Sequence, residues 1–274
     1  MSFEKLCLHT ITTKPWDLQT AVQKYSAAGI GGVSIWRDAA QGFSGGIKAA
    51  GEMTRSEGLE IVSYVRGGFF TGLDAATRQV AIDENKKLID EAAELGAPLI
   101  VLVCGATPGQ SLFTSREQIA EGLAAVMPHA EAAGVKLGIE PLHPMYADSR
   151  SAVSTMAQSN ALCDIVDHKN LGITVDVFHV WWDDALEAQI KLTAEKDRLF
   201  SFHLCDWKDQ PEDMLNDRGL MGEGVIDNRG IRKMVVDAGF KGFDEVEIFS
   251  NRYWAMDQDE YLKMITDAYQ KHCI

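Results

Sequence analysis

The stretch AAGVKLGIEPLH, residues 132–143, contains the helix-to-strand junction on which the fold depends. An alanine-rich segment stops at Gly134, a residue type that readily adopts the left-handed conformation found where helices end. The apolar segment after it predicts a buried strand. Pro141 marks the end of that strand, because proline has no N–H group to donate to a neighbouring strand. A charged side chain, Glu140, therefore stands at the end of an apolar run.

The same junction recurs along the chain. Segments of this kind are AAGIGGVSIW at 27–36, SEGLEIVSYV at 56–65, ELGAPLIVLV at 94–103 and DAGFKGFDEVEIF at 237–249. The residues predicted to end a helix in the left-handed conformation are Gly29, Gly58, Gly96, Gly134, Gly239 and, before LGITVDV, Asn170. The regular alternation of helix and strand indicates an α/β protein.

Eight strands follow from this alternation. They are predicted at 5–10, 31–37, 60–67, 98–104, 136–142, 171–178, 199–206 and 244–250. Their apolar runs are typical of parallel strands covered by helices, and eight such units in about 250 residues match a (β/α)8 barrel better than an open doubly wound sheet. No GxGxxG motif follows the first strand, which argues against a dinucleotide-binding fold. We therefore predict a single-domain (β/α)8 TIM barrel over residues 1–274, with its active site at the C-terminal ends of the strands.

The longest connections are predicted after strands 4 and 7. The second, residues 206–227, contains DRGLMGEGVID, which is too polar and too rich in glycine for a core segment. It lies on the face where such barrels carry active-site loops, so we expect a lid or substrate loop there. Gly222 and Gly224 could bind an anion through their N–H groups. We favour a plain turn in which Asp227 caps the next helix.

The composition limits the expected partners. The 274 residues carry a net charge of -14 and a pI near 4.9, which argues against a nucleic-acid partner. The segment MSFEKLCLHT lacks the regions of an export signal, and no run of about 18 apolar residues predicts a membrane span. Five cysteines without CxxC spacing indicate reduced thiols. We therefore predict a cytoplasmic protein with neither a nucleic-acid nor a membrane partner.

Four side chains that bind hard metal ions stand at the ends of four consecutive predicted strands. They are Glu140 in KLGIEPLH, Asp176 in ITVDVFHV, His203 in FSFHLCDW and Glu247 in DEVEIFS. For any one of them alone, a satisfied buried polar residue is an equal alternative. Together they converge at one mouth of the barrel, where three carboxylates would repel one another unless a cation lay among them. We therefore predict that these four residues bind one divalent metal ion.

The donor set narrows the choice of metal. Three carboxylates and one imidazole favour a hard or borderline ion, so we prefer Mn²⁺, with Mg²⁺, Co²⁺ or Zn²⁺ as alternatives. Four protein ligands on a six-coordinate ion leave room for two more oxygens. The carbonyl and the adjacent hydroxyl of an α-hydroxy ketone supply two such oxygens, and the metal would then act as a Lewis acid on an enediolate.

The motifs resemble those of one superfamily. The order Glu, Asp, His, Glu on strands 5 to 8, the pair Asp176 and His179 in DVFH, and Arg218 followed by Gly222-x-Gly224 are similar to the sugar phosphate isomerase/epimerase superfamily, the xylose isomerase-like TIM barrels. The resemblance covers nearly the whole chain. It implies a metal at the four positions named above, a small-molecule sugar substrate, and a homo-oligomer of two or four subunits.

In that superfamily the two metal-binding glutamates flank the substrate carbon. By this resemblance Glu140 and Glu247 are the catalytic residues and exchange the α-proton, one removing it and the other returning it. A carboxylate is an adequate base once a cation stabilises the enediolate. The chain departs from the pattern at Tyr146, where ketose 3-epimerases carry a further glutamate. This departure weighs against free ketohexoses as substrates.

Six further residues are predicted to contact the substrate: His179, Arg218, His143, Trp36, Trp207 and His9. His179 reaches the site only if the chain turns at the rim after Asp176, since an ideal strand directs the two side chains apart. Arg218 can bind a hydroxyl or phosphate, with a solvated ion pair as the alternative. His143 either polarises a substrate hydroxyl or stabilises its loop, and the indoles pack against sugar or in the core. Arg66, at the end of strand 3, is expected to line the same pocket.

The leading hypothesis is a metal-dependent isomerase or epimerase of a ketose or related keto-sugar, acting through a cis-enediolate. The alternative is a metal-dependent lyase or dehydratase of a keto-cyclitol or keto-glycoside, because the same intermediate can expel a β-oxygen. Apurinic endonucleases share the barrel and several of these residues, but they need further histidines that strands 2 to 4 lack. A non-enzymatic sugar-binding barrel is a further alternative, although a binder has no need of two opposed glutamates.

Overall fold

The structure is a computed structural model that describes residues 3–274. Eight strands form a closed barrel in sequence order, and all neighbours are parallel. The strands are β1 Phe3–His9, β2 Ile30–Trp36, β3 Glu60–Gly68, β4 Leu99–Val103, β5 Lys136–Ile139, β6 Leu171–Asp176, β7 Leu199–Leu204 and β8 Asp244–Val246. The barrel closes where β1 pairs with β8, and the predicted (β/α)8 fold is confirmed.

Helices connect the strands. They are α1 Leu18–Ala27, α2 Arg37–Gln41, α3 Gly46–Ser56, α4 Ala75–Leu95, α5 Leu112–Ala133, α6 Met156–Val166, α7 Val177–Val180, α8 Leu186–Glu195, α9 Asn228–Asp237, α10 Asn251–Trp254 and α11 Gln258–His272, with a 3-10 turn at Pro144–Tyr146. Every residue of β4 and β6 is buried. Burial on both faces of the sheet is why the strands are continuous apolar runs in the sequence.

The helix ends confirm the glycine pattern with one exception. The five predicted glycines have φ between +70° and +100°: Gly29, Gly58, Gly96, Gly134 and Gly239. The prediction for Asn170 is wrong, because α6 ends earlier, at Asp167, with a φ of 46°. The short polar side chain of aspartate tolerates the left-handed conformation better than most side chains do. Asp227 caps α9 as predicted, since its carboxylate accepts the N–H of Gly230.

Several strands are shorter than predicted. β5 and β8 end at Ile139 and Val246, before the predicted ends at 142 and 250. β6 ends at Asp176, whose carboxylate accepts the N–H of Phe178 at 2.8 Å and caps α7. Because Pro141 ends β5 early, the connection over residues 140–155 is longer than the connection after β4. The prediction that one of the longest connections follows strand 4 is therefore wrong.

The remaining global predictions concern membranes and cysteines. Among the described residues, no helix has the length and hydrophobicity that crossing a membrane requires. All five cysteines are free and buried, in agreement with the predicted reduced thiols. Burial raises the pKa of Cys163 to about 12, which keeps this thiol protonated.

Candidate active site

The four predicted metal ligands meet at the C-terminal mouth of the barrel. Glu140 and Glu247 directly follow β5 and β8, Asp176 ends β6, and His203 lies in β7. One ligand atom from each lies within 4.8 Å of the ligand atoms of the others, and all four residues are buried. Asp176 and His203 are paired residues of adjacent strands. The barrel register therefore brings together side chains that are far apart in the sequence.

Hydrogen bonds inside the barrel fix the orientation of His203. Its Nε2 lies 3.0 Å from Ser201 Oγ, and that hydroxyl donates a hydrogen bond to Glu245 Oε1 at 2.5 Å. Because a serine hydroxyl has one hydrogen to donate and Ser201 donates it to Glu245, the Ser201 oxygen can only accept a hydrogen bond from the N–H of His203 Nε2. The other ring nitrogen, Nδ1, faces the three carboxylates, so it is the nitrogen that can bind a metal once it carries no proton.

The centre of the cluster fits a metal ion. Glu140 Oε1 and His203 Nδ1 lie 3.1 Å apart. Apart from contacts within the cluster itself, neither atom has a hydrogen-bond partner among residues 3–274. Buried polar atoms are nearly always satisfied, so two electron-pair donors that face one point without a partner are typical of metal ligands. The set of three carboxylates and one imidazole suits Mn²⁺, Mg²⁺, Co²⁺ or Zn²⁺.

Arg218, a predicted substrate contact, lies against the same carboxylates. Its Nη1 donates to Asp176 Oδ2 at 2.9 Å and to Glu247 Oε2 at 3.1 Å. The guanidinium lies over the ring of Phe178, 4.4 Å from the centroid. With only 4% of its surface exposed, Arg218 is a buried partner of the cluster. The alternative of a solvated ion pair is therefore wrong.

His179 reaches the site because the chain turns into α7 directly after Asp176. Its Nε2 lies 3.1 Å from Arg218 Nη2 and 3.7 Å from Asp176 Oδ2. Burial lowers the pKa of His179 to about 3, against the opposing effect of Asp176. The imidazole is therefore neutral, and it stands beside the cluster as a polar group without charge.

A second layer of polar residues lies beneath the ligands, and two of its members, Glu245 and Ser34, were not predicted from the sequence. His9 Nδ1 lies 3.1 Å from Glu247 Oε1, and His9 Nε2 lies 3.1 Å from Glu245 Oε2. Glu245 also accepts a hydrogen bond from Ser34 Oγ at 2.7 Å. Burial opposes a charge on His9, but Glu247 and Glu245 outweigh it and raise its pKa. The sequence signal that could have identified Glu245 is its spacing from Glu247, because residues two apart on a strand share a face.

Glu140 and Glu247 differ in their affinity for protons. Burial, reinforced by the charge of Glu247, raises the pKa of Glu140 to about 7. Burial acts in the same direction on Glu247, but His9 and Arg218 outweigh it and hold its pKa at about 2. Two carboxyl groups with separated pKa values are suited to different roles in proton transfer.

A cavity of about 110 Å³ borders the cluster. Six of the residues predicted to bind metal, act in catalysis or line the pocket border it: Trp36, Arg66, Glu140, His179, Arg218 and Glu247. Arg150 and Tyr146 also line it, and the Tyr146 hydroxyl donates to the carbonyl of Met214 in the loop after β7. The cavity is small beside the roughly 300–1,000 Å³ of pockets for drug-sized ligands, so it suits a small metabolite.

Three predicted substrate contacts lie outside the cavity lining. His143 and Trp207 pack on each other, with ring centroids 4.6 Å apart. His143 Nδ1 also accepts the N–H of Met145, which is the loop-stabilising role weighed in the sequence analysis. His9 is occupied by its two glutamate partners beneath the ligands. Because these side chains are used in packing and in hydrogen bonds, the geometry does not support direct substrate contacts for them.

The loop after β7 is held by Asp206, a buried residue that the sequence analysis did not single out. Its carboxylate accepts the N–H groups of Trp207, Gly222 and Ile226, at 2.9, 2.7 and 3.0 Å. A Cβ at Gly224 would lie 1.9 Å from the carbonyl oxygen of Trp207, so glycine is required there. The N–H of Gly222 is thus used within the protein, in agreement with the favoured turn.

Comparisons with known proteins place the chain in a family. Residues 22–267 match the family model described as xylose isomerase-like TIM barrel. The chain belongs to this family. It is 26% identical over 206 residues to the inosose isomerase of Halalkalibacterium halodurans, an alignment that covers 73% of this chain and 70% of that protein.

Two solved structures are similar to this protein. A protein of Sinorhizobium meliloti 1021 is 42% identical and has a TM-score of 0.94 over 99% of both chains. The IOLI protein with a bound zinc atom has a TM-score of 0.84 at 22% identity, over 98% of this chain and 99% of that one. The second likeness shows a shared fold.

Proposed function

We propose that this protein is a metal-dependent isomerase or epimerase of a ketose or related keto-sugar. The observation that carries the proposal is the convergence of Glu140, Asp176, His203 and Glu247 within 4.8 Å at the barrel mouth. The similarity to an enzyme named inosose isomerase supports the reaction class. The bound zinc atom of the IOLI structure supports a divalent ion in this type of barrel.

The mechanism needs a proton to leave and return at the carbon beside the substrate carbonyl. Glu140, Asp176, His203 and Glu247 would hold a divalent ion, which would supply Lewis acidity at that carbonyl. Glu247 is held ionised by His9 and Arg218 and is the residue we assign to removal of the α-proton. Glu140, the second glutamate of the cluster, is assigned to its return.

Other residues of the cavity orient the substrate. Arg218 and the neutral His179 line it together, and the Nε–H of Arg218, which has no hydrogen-bond partner among residues 3–274, can donate to a substrate oxygen. The small volume limits the water around the reacting carbon, which strengthens each electrostatic contact there. We prefer Mn²⁺ for its match to three oxygen donors and one nitrogen, with Mg²⁺, Co²⁺ and Zn²⁺ as alternatives. We further propose that the protein is cytoplasmic and forms a homo-oligomer of two or four subunits. Light scattering measures the number of subunits.

The experiment is α-proton exchange in D₂O with a panel of keto-sugars and Mn²⁺. We expect deuterium at the α-carbon, no exchange after chelation, and a loss of about 10²–10⁴-fold in rate for Glu247→Gln and Glu140→Gln. The matched control is Glu94→Gln, an exposed glutamate on α4. Product formation without exchange, or full activity of metal-free protein, would contradict the proposal.

The same experiment distinguishes the alternative reactions. Isomerisation conserves the mass of the substrate, whereas a lyase or dehydratase produces a lighter product. An apurinic endonuclease would need further histidines to hold a zinc cluster. In residues 3–274, the two groups that could hold a metal contain His9 and His203 as their histidines, and the groups overlap at His203 and Glu247. The net charge of -14 further opposes binding to a phosphate backbone.

A further inference from the structure

Two arginines at the cavity have no oxygen partner. Arg66, in β3, and Arg150, in the loop after β5, line the cavity together with Glu140. Within the part of the chain that the structure describes, neither guanidinium forms an ion pair or a hydrogen bond. The Arg66 guanidinium lies 4.9 Å from the ring centroid of Phe69, and that of Arg150 lies 5.8 Å from that of Tyr146. These ring contacts leave the N–H groups of both guanidiniums available to a ligand.

The rest of the chain shows how unusual this is. Every other arginine of residues 3–274 binds a carboxylate or carbonyl oxygen: Arg37, Arg55, Arg78, Arg116, Arg198, Arg218, Arg229, Arg232 and Arg252. Taking a charged group out of water costs free energy unless an opposite charge or hydrogen bonds replace the lost hydration. The two exceptions are partly buried and both border the cavity, so a molecule that enters it would displace their water and is expected to supply the oxygens.

The charges at the site lead to the same conclusion. With a divalent ion bound, the three ligand carboxylates are balanced by that ion and by Arg218. The carboxylate of Glu245 is balanced by its contact with His9. Among residues 3–274, Arg66 and Arg150 then remain as two positive charges without an ion-pair partner, although the more distant charge of Asp38 also acts on Arg66. Burial and the proximity of Arg150 lower the pKa of Arg66, which is the effect expected when two guanidiniums face one space.

We propose that the substrate carries an anionic group, a carboxylate or a phosphate, which Arg66 and Arg150 bind. The planar guanidinium is suited to either group, because it offers paired N–H donors to two oxygens at once. A neutral sugar or cyclitol would leave both charges unpaired. This inference rests on the proposed function, since the anionic group belongs to the same molecule whose α-proton is exchanged.

The test is calorimetric binding of three probes to the full chain loaded with Mn²⁺. Dihydroxyacetone, hydroxypyruvate and dihydroxyacetone phosphate share an α-hydroxy ketone and differ in carrying no anion, a carboxylate or a phosphate. We expect an anionic probe to bind at least about tenfold more tightly than dihydroxyacetone, because hydrogen bonds between charged groups are strong. Preference for hydroxypyruvate assigns a carboxylate, and preference for dihydroxyacetone phosphate assigns a phosphate.

Variants assign the preference to the two arginines. Arg66→Gln and Arg150→Gln should each remove most of it, and Arg66→Lys should restore part of it because the charge returns. Arg55→Gln is the matched control, since Arg55 is an exposed arginine on α3 that donates to the carbonyl of Leu95. Equal binding of the three probes, or a preference that persists in both Gln variants, would overturn the inference.

The outcome is separable from that of the proposed function. Arginine-dependent anion binding without any deuterium exchange would reject the isomerase proposal and leave the anion site standing. Exchange on neutral keto-sugars with the same kcat/KM as on anionic ones, unaffected by Arg66→Gln, would reject the anion site and leave the isomerase standing. Circular dichroism of each variant confirms that it is folded.

Discussion

Glu245 controls the orientation of a metal ligand without being one. Glu245 accepts a hydrogen bond from the Ser201 hydroxyl, so the Ser201 oxygen accepts the N–H of His203 Nε2. In Glu245→Gln the amide nitrogen can face Ser201 and reverse that hydrogen bond, so His203 would no longer be held with Nδ1 free. We expect a 10- to 100-fold weaker affinity for Mn²⁺, about the size of comparable effects around other metal sites.

Competition with a chelator measures this affinity. Glu94→Gln, on the exposed face of α4, is the control for a simple loss of one negative charge. An unchanged dissociation constant in Glu245→Gln would show that His203 is oriented by other contacts.

Glu140 makes metal binding dependent on pH. In the metal-free protein its pKa is raised to about 7, chiefly by burial, so below that pH an incoming ion must displace its proton. His203 must also lose a proton, because its neighbouring carboxylates outweigh the effect of burial and raise its pKa. The affinity for Mn²⁺ should therefore rise with pH between about 6 and 8, by up to about tenfold per unit for each proton released.

Titrations at several pH values, in buffers that bind Mn²⁺ weakly, test this dependence. Glu140→Gln, which has no proton to lose at that position, should show a shallower slope. An affinity that is flat or falls across this range would contradict the assignment of Glu140 as a ligand.

At the residue scale, the sequence is informative where side-chain chemistry and strand ends coincide. Glu140 and Glu247 are identifiable because charged residues are out of place at the end of apolar runs. Glu245 could have been identified from its spacing to Glu247. Arg150 could not, because it lies in the long loop after β5, and no periodicity indicates which way a loop residue points.

At the scale of single elements, the loop after β7 depends on Asp206. Three backbone N–H groups converge on this carboxylate. In Asp206→Asn one of the two oxygens becomes an N–H donor, which leaves a backbone N–H without an acceptor at a cost of about 1–3 kcal/mol. The free energy of unfolding should fall by that amount. KM should rise as well, because Arg218 lies in the same loop.

Urea denaturation and steady-state kinetics measure the two effects. Asp209→Asn, an exposed change in the same loop, is the control and should alter neither quantity. An unchanged midpoint of unfolding in Asp206→Asn would show that the three hydrogen bonds do not hold the loop.

The bounds of the elements show what local patterns can and cannot give. Glycine ends of helices are predictable, because few other residues adopt a positive φ without strain. The end of α6 at Asp167 was missed, since an aspartate is ambiguous between a surface residue and a left-handed cap. The early end of β8 depends on pairing with neighbouring strands, which an apolar run does not reveal.

At the scale of the whole molecule, closure of the barrel creates the site. Eight repeats of helix and strand predict this closure, and the order of the strands then places the ends of β5 to β8 side by side. The small cavity and its two unpaired arginines result from the packing of separate loops over the mouth. Their geometry depends on contacts such as that of Tyr146 with Met214, which no single segment encodes.

The most direct test of the account is anomalous diffraction from crystals soaked in Mn²⁺, collected on both sides of the manganese absorption edge. We predict one anomalous peak per chain, bonded to Glu140, Asp176, His203 and Glu247, and no such peak in Asp176→Asn crystals treated in the same way. An empty cluster at saturating Mn²⁺, or a peak bound by other residues, would contradict the central claim.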